Sequence, residues 1–397
     1  MVTSIRQQFN QSFTQERYQE MLRGIDAEYD YKIPFRIAET PVFVTKDLKK
    51  QLFEACEMIS DVLCAPDFKE KSKSALLAGQ EVPNETDHTL FLQMDFGICQ
   101  NSDGSLTPQL IEVQGFPSLY FFQDLVARAY KKYYDIPTGY SHLFDNLDSE
   151  GYMELLRSAI VGSADPKNVV LLEVEPTKQV TEIDFVVAKE RLGIEYLCVS
   201  DVKKEGLDLY YEKDGQKIGI QRIFNRVIFD ELIKRDDLPR EFYFTQEANV
   251  EWAGHPNWFF RISKHTLPFL DNPYVPKSMF LNDLEQIPTD LDNYVLKPLY
   301  SFAGSGVIIN LNRYDLESIS DPENYILQRK VKYAPVVETP NVPAKCEIRM
   351  LMIWERGAAR PRIINNLARL SKGEMIGVRY NKNKDWVGGS VGFFPQD

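Results

Sequence analysis

Nothing in this chain is arranged like a disulfide framework or a zinc site. Its five cysteines, Cys56, Cys64, Cys99, Cys198 and Cys346, are odd in number and scattered, with no C-x-x-C pair. That argues against a stapled secreted scaffold and against a zinc ribbon, and it fits a reducing, cytoplasmic setting. The four histidines, His88, His142, His255 and His265, are too dispersed for an imidazole cluster. No apolar run approaches the roughly 18 residues of a membrane span, and the opening MVTSIRQQFNQSFTQERYQEM has no signal-peptide core. Positive charge is also in deficit: 46 Lys and Arg against 58 Asp and Glu leave a net charge of −12. Nucleic acid and anionic membrane are therefore poor candidates for the main partner, and small molecules are better ones. Internal repeats and low-complexity tracts are absent, and the oligomeric state is not legible.

What the chain does have is core material. Its 397 residues are 44% hydrophobic and 12% aromatic, enough for two or three domains. Residues 4 to 24 read as a polar helix. Residues 45 to 64 read as an amphipathic one, with Leu48, Leu52, Cys56, Ile59 and Leu63 on one face.

Residues 89 to 115 carry two alternating runs on either side of Asp103-Gly104, a favoured two-residue hairpin turn. With the turn centred there, Asp95 faces Glu112 and Gln93 faces Gln114. The opposite face then holds Leu90, Leu92, Met94, Phe96, Ile98, Ile111 and Val113. Two carboxylates opposed at a Cβ separation of about 5 Å repel unless a cation, a proton or water lies between them. Magnesium on Asp95, Glu112 and Gln114 would resolve the conflict with oxygen donors, and a merely wet surface would resolve it with water.

Residues 116 to 134 read as an aromatic helix beneath this hairpin. From 152 to 235 helix and strand alternate, with a second Asp-Gly turn at 214 and 215, which predicts a small unit with a parallel sheet. Arg222 and Arg226 there suit either an anionic substrate or an ion-pair cluster with Asp230 and Glu231.

The stretch LDNYVLKPLYSFAGSGVIIN, residues 291 to 310, reads as a phosphate grip: a strand delivers Lys297, a small-residue loop follows, and Val307 to Ile309 start a second strand. In the loop, Ser301, Ala303, Gly304, Ser305 and Gly306 leave room for backbone N–H groups to close on an anion. A plain hairpin with a flexible connection fits the same residues. Lys264 lies 33 residues earlier, between an aromatic strand and a short helix, and Gln328 ends the run NYILQRKV. The final segments alternate apolar and polar residues and supply Glu347, Arg349 and Arg369 as the far wall of a cleft.

Taken in order, ISKHTLPFLDNPYVPKSMFL, YVLKPLYSFAGSGVII and NYILQRK resemble the ATP-grasp superfamily. In that family two lysines, a mobile small-residue loop and an adenine-contacting linker hold ATP between α+β subdomains. The resemblance implies that Lys264, Lys297, the 301 to 306 loop and Gln328 bind the nucleotide. No E-x-N motif follows residue 328; instead Asp95 and Glu112-Val113-Gln114 precede the lysines. This is similar to circularly permuted ATP-grasp proteins related to glutathionylspermidine synthase. That pattern has arginine where this chain has Gln93 and asparagine where it has Gln114.

The implied fold is α/β (α+β), an ATP-grasp of circularly permuted order with a small α/β domain on the substrate side. Its expected parts are a helical scaffold at 1 to 88, a metal-binding hairpin region at 89 to 150, the α/β domain at 151 to 245 and nucleotide-binding lobes at 246 to 397. The implied activity joins a small-molecule carboxylate to an amine with ATP and Mg2+, releasing ADP. Arg226, Arg349 and Arg369 are the candidates for substrate or transition-state contacts. A kinase-like phosphotransferase and an ATP-binding module without chemistry are the alternatives.

Overall fold

The computed structural model describes every residue except 302, 303, 375, 378 to 380 and 397. The predicted helix at 4 to 24 is two helices, α1 (Thr3–Ser12) and α2 (Gln15–Glu28), separated at Phe13 and Thr14, where Thr14 caps the second by accepting from Arg17 N–H. The predicted amphipathic helix forms as α3 (Lys46–Leu63), capped by Thr45. Its buried stripe is Leu48, Leu52, Cys56, Ile59 and Leu63.

That stripe packs on the hairpin made by β1 (Phe91–Gln100) and β2 (Leu106–Gln114). Asp95 pairs with Glu112 and Gln93 with Gln114, in the expected register. The turn itself differs. Cys99 pairs with Thr107, one residue out of that register, and a bulge opposite the step from Asp95 to Phe96 restores it on the site side. Ile111 is the extra residue. Leu110 therefore takes the buried place expected for Ile111, with Val113, Leu92, Met94, Phe96 and Ile98. The second Asp-Gly does make the two-residue turn: Lys213 pairs with Gln216, and Asp214 and Gly215 both have positive φ.

Aromatic α4 (Tyr120–Tyr133) follows the hairpin and is buried along most of its length, with Tyr120 Oη donating to the Leu92 and Met352 carbonyls. After α5 (Ser149–Ile160) come β3 (Val169–Glu173), α6 (Glu182–Leu192), β4 (Glu195–Cys198), β5 (Arg222–Asn225) and β6 (Glu251–Ala253). These four strands form a parallel sheet in the order β6-β5-β3-β4. The chain passes from β3 to β4 on one side and returns to β5 on the other, so strand order reverses between β3 and β5.

Residues before Lys264, expected as an aromatic strand, are a helix instead, α7 (Pro256–Arg261), and Lys264–Phe269 is a 3-10 turn. His255 caps α7 and Pro256 occupies its first position, a helix-start pairing that outweighs the β preference of the aromatic run. The next lobe is a three-stranded antiparallel sheet of β7 (Ser278–Phe280), β8 (Tyr294–Pro298) and β9 (Tyr325–Arg329), in the order β7-β9-β8. The strand expected from Val307 is only a single bridge, Leu296 to Ile308.

Finally β10 (Lys345–Ile353), β11 (Arg362–Ser371) and β12 (Gly388–Ser390) complete a five-stranded antiparallel sheet, β12-β11-β10-β1-β2. Ile348, Met350, Met352, Ala368 and Leu370 extend its apolar face over α3. Alternation then turns Glu347, Arg349 and Arg369 to the face that carries Gln93, Asp95, Glu112 and Gln114.

Candidate functional site

The polar face of the central sheet is an ion-pair lattice. β10 runs between β1 and β11, with Arg349 opposite Asp95 and Glu347 opposite Arg369. Arg349 forks onto both Asp95 oxygens, at 2.5 and 2.7 Å, and its third nitrogen donates to Gln93 Oε1 at 2.9 Å. Arg369 donates to Asp95 Oδ2 at 2.7 Å and also to Glu347, whose other oxygen accepts from Tyr333 Oη at 2.8 Å. Burial pushes the Asp95 carboxyl up, but Arg349 and Arg369 outweigh it and hold the group below its ordinary value. Glu347 goes the other way: burial, with Asp95 nearby, raises it despite Arg369.

The two candidate lysines reach the outer strand of the same sheet. Lys264 Nζ lies 3.3 Å from Glu112 and donates to the Ser301 carbonyl at 2.7 Å. Lys297 Nζ donates to the Ile111 carbonyl at 2.9 Å, the carbonyl of the bulged residue. Both lysines are over nine-tenths buried. Burial, reinforced by Lys264, pulls the Lys297 ammonium down to about 8, with Glu112 opposing.

Lys264, Lys297, Ser301, Asp95, Glu112, Arg349 and Arg369 thus form one neighbourhood. Gly304 and Gly306 both have positive φ, and a Cβ on Gly306 would lie 2.9 Å from the Pro298 ring. Ser301, Ser305 and these glycines form the described part of the loop, and Ala303 lies outside the described residues. Gln328 is inside β9 rather than beyond its end, opposite Ser278 and Val295, buried, with no partner for Nε2 among the described residues.

Arg226 is not part of the expected cluster with Asp230 and Glu231. It pairs with Asp184 at 3.1 Å, and its guanidinium lies 5.0 Å from the ring centres of both Phe116 and Phe185. Asp184 in turn accepts from the N–H groups of Leu119, Phe121 and Phe122 and so holds the start of α4. Arg222 pairs with Glu251.

Sequence reasoning missed Glu173. It closes β3 and Arg226 follows β5, so both stand at the carboxyl ends of neighbouring parallel strands where strand order reverses. Open α/β sheets bind ligands in that crevice. Burial, opposed by Arg226, raises the Glu173 carboxyl to about 7. Arg226 Nε has no partner among the described residues. The signal available was a carboxylate closing the apolar run NVVLLEV. Tyr333 gave no signal.

The donor set fits a hard cation only in part. Among the described residues no three His, Cys, Asp or Glu side chains form a metal-binding group. Both Asp95 oxygens are held by arginines, which leaves the Glu112 carboxylate and the Gln114 amide as oxygen donors on one strand face. The charge set favours an anion over a further cation: three carboxylates, Asp95, Glu112 and Glu347, stand among four cations, Lys264, Lys297, Arg349 and Arg369, a surplus of one positive charge.

No protein-family model and no curated protein sequence matches the chain. Its structure is similar to that of a glutathione synthetase-like effector from Globodera pallida in its apo form. The TM-score is 0.57, with 11% sequence identity and 96% of each chain covered. At that identity the likeness is one of fold: this chain has a mixed α/β fold of the glutathione synthetase-like kind. No helix among the described residues is long and apolar enough to cross a membrane.

Proposed function

We propose that this protein is a circularly permuted ATP-grasp ligase that joins a carboxylate to an amine, forming an amide through an acyl phosphate with release of ADP. The observation that carries this reading is the meeting of Lys264 and Lys297 with the bulged end of the hairpin, at Glu112 and Ile111. The hairpin precedes both lysines in sequence by more than a hundred residues, which supports the permuted order. Lys264, Lys297 and the loop groups Ser301, Gly304, Ser305 and Gly306 hold the phosphates and keep water from the reacting end. Gln328 contributes on the base side. Glu112 and Gln114 would hold magnesium, which offsets phosphate charge when bound.

The acid substrate takes the crevice between β3 and β5, where Arg226, preset by Asp184 and two aromatic rings, anchors an anionic end. Arg349 does the work of the arginine replaced at Gln93. It arrives from the neighbouring strand and bonds to Gln93 itself. Arg369 joins it in stabilising charge on the transferring group.

The experiment is ADP release from ATP with panels of small carboxylates and amines, comparing wild type with Lys297→Ala. ADP release that requires both an acid and an amine and falls at least a hundredfold in the variant supports the ligase. Stable phosphorylation of a small molecule without amine would replace it with a phosphotransferase. The arginine hold on both Asp95 oxygens favours a second reading, an ATP-binding module without turnover, for which nucleotide binding without ADP release in any mixture is the expected result.

A further inference from the structure

The segment from Ser72 to Thr86 lies far from the proposed nucleotide residues in sequence, yet it is tied to residues that adjoin them. Val82 N–H donates to Asn257 Oδ1 at 2.9 Å, and Asn257 returns a bond to the Val82 carbonyl. Trp258 Nε1 donates to the Thr86 carbonyl, and Arg261 forks onto Glu85 at 2.7 and 3.1 Å. These bonds fasten α7, the helix that leads into Lys264.

Two adjacent residues of the segment touch the immediate neighbours of both phosphate contacts. Ser74 Oγ lies 2.9 Å from His265 Nε2, and His265 follows Lys264. Tyr300 Oη donates to the Ala75 carbonyl at 2.6 Å, and Tyr300 precedes Ser301, whose carbonyl accepts from Lys264. Burial drives the Tyr300 hydroxyl up to about 12, and it drives His265 down to about 4, so near neutral pH both side chains are uncharged. The Tyr300 ring also stands edge-on to Phe260 of α7, with 5.5 Å between centres.

We infer that the segment 72 to 86 is a strap that positions the nucleotide grip through Tyr300 and His265, the two positioning residues it holds. Ser74 and Ala75 fix the spacing between the Lys264 turn and the entrance of the 301 to 306 loop, so that Lys264 Nζ meets Ser301 before nucleotide arrives. This inference rests on the reading of Lys264 and the loop as the ATP grip. Preorganisation of this kind acts on affinity, because the ordering cost is met before binding.

The test compares wild type with Tyr300→Phe, which keeps the ring and deletes the bond to Ala75, and with Ser74→Ala and Ser74→Thr. Two readouts are taken: Mg-ATP affinity by titration calorimetry, and amide hydrogen exchange of Ser301 and Gly304 to Gly306 in protein without nucleotide. Losing one neutral hydrogen bond predicts a Kd raised about five- to tenfold in Tyr300→Phe, with faster exchange in the loop and a thermal midpoint lowered by only about 1–3 °C. Ser74→Ala weakens binding in the same direction, and Ser74→Thr restores it. Unchanged exchange and unchanged Kd in Tyr300→Phe would overturn the strap. If wild type bound no ATP, the ligase reading would fall, and the exchange comparison would still decide whether Tyr300 orders the loop.

Discussion

Lys297 donates to the carbonyl of Ile111, the residue at which the hairpin bulges. The extra residue ends one register and restores the other, and its carbonyl faces the lysine beside Glu112.

The first prediction concerns pH and affinity. In the proposed grip the Lys297 ammonium holds phosphate, and burial pulls that ammonium down to about 8 in the free protein. ATP affinity should therefore fall as pH rises through 8, and Lys297→Met should be weak and flat across that window. Calorimetric titrations at pH 6.5, 7.5 and 9 read both. The same shift acts on stability with a defined sign. Between about 8 and the unfolded value near 10.5 the unfolded chain binds more protons, so wild type gains stability with rising pH relative to Lys297→Met.

Glu173 gives a second pH signature. Its folded value is raised by burial to about 7 from 4.5, so its contribution is fully present below 4.5 and is lost as pH rises through 7. Glu173→Gln should remove that slope and leave the protein more stable than wild type at pH 8 by on the order of 2–3 kcal/mol. Urea unfolding at pH 5 and pH 8 gives the difference directly.

The fork between Arg349 and Asp95 predicts a strong coupling. Arg349→Met leaves Asp95 buried with Arg369 alone and should cost about 3 kcal/mol. Asp95→Leu in the same chain should recover part of that cost, because no unpaired charge is then left inside. A double-mutant cycle in urea measures it; additive single effects would contradict the arrangement.

Gly97 sits opposite Glu347 on the polar face, and a Cβ there would meet the Tyr333 ring at 2.7 Å and Val331 Cγ1 at 2.9 Å. Gly97→Ala should cost about 1–3 kcal/mol and displace Tyr333 from Glu347. Thermal unfolding reads the first effect, and a shifted Tyr333 hydroxyl resonance reads the second.

Legibility in the sequence followed the range of the interaction. The α3 stripe and the polar face that Asp95 and Glu112 share are written in periodicity, since an apolar face must point at a core. The parallel sheet was likewise readable from alternating apolar runs. The turn at Asp103-Gly104 misled, because the one-residue error there is repaired by a bulge that leaves no mark in composition. The helix at α7 was hidden by aromatics that favour strands until His255 and Pro256 are read as a start signal. Arg349 on Asp95 could not be read at all: 254 residues separate them, and only strand order brings them together.

The most direct test of the central claim, a magnesium-assisted nucleotide grip at the bulged hairpin, is calorimetric titration of ATP with and without Mg2+ into wild type, Lys297→Ala, Glu112→Gln and Asp95→Asn. The account predicts Mg-dependent binding that is weakened in Lys297→Ala and loses its magnesium dependence in Glu112→Gln. Asp95→Asn should retain that dependence, since its oxygens serve Arg349 and Arg369. Binding indifferent to Lys297 and Glu112, or no binding up to millimolar ATP, would contradict it.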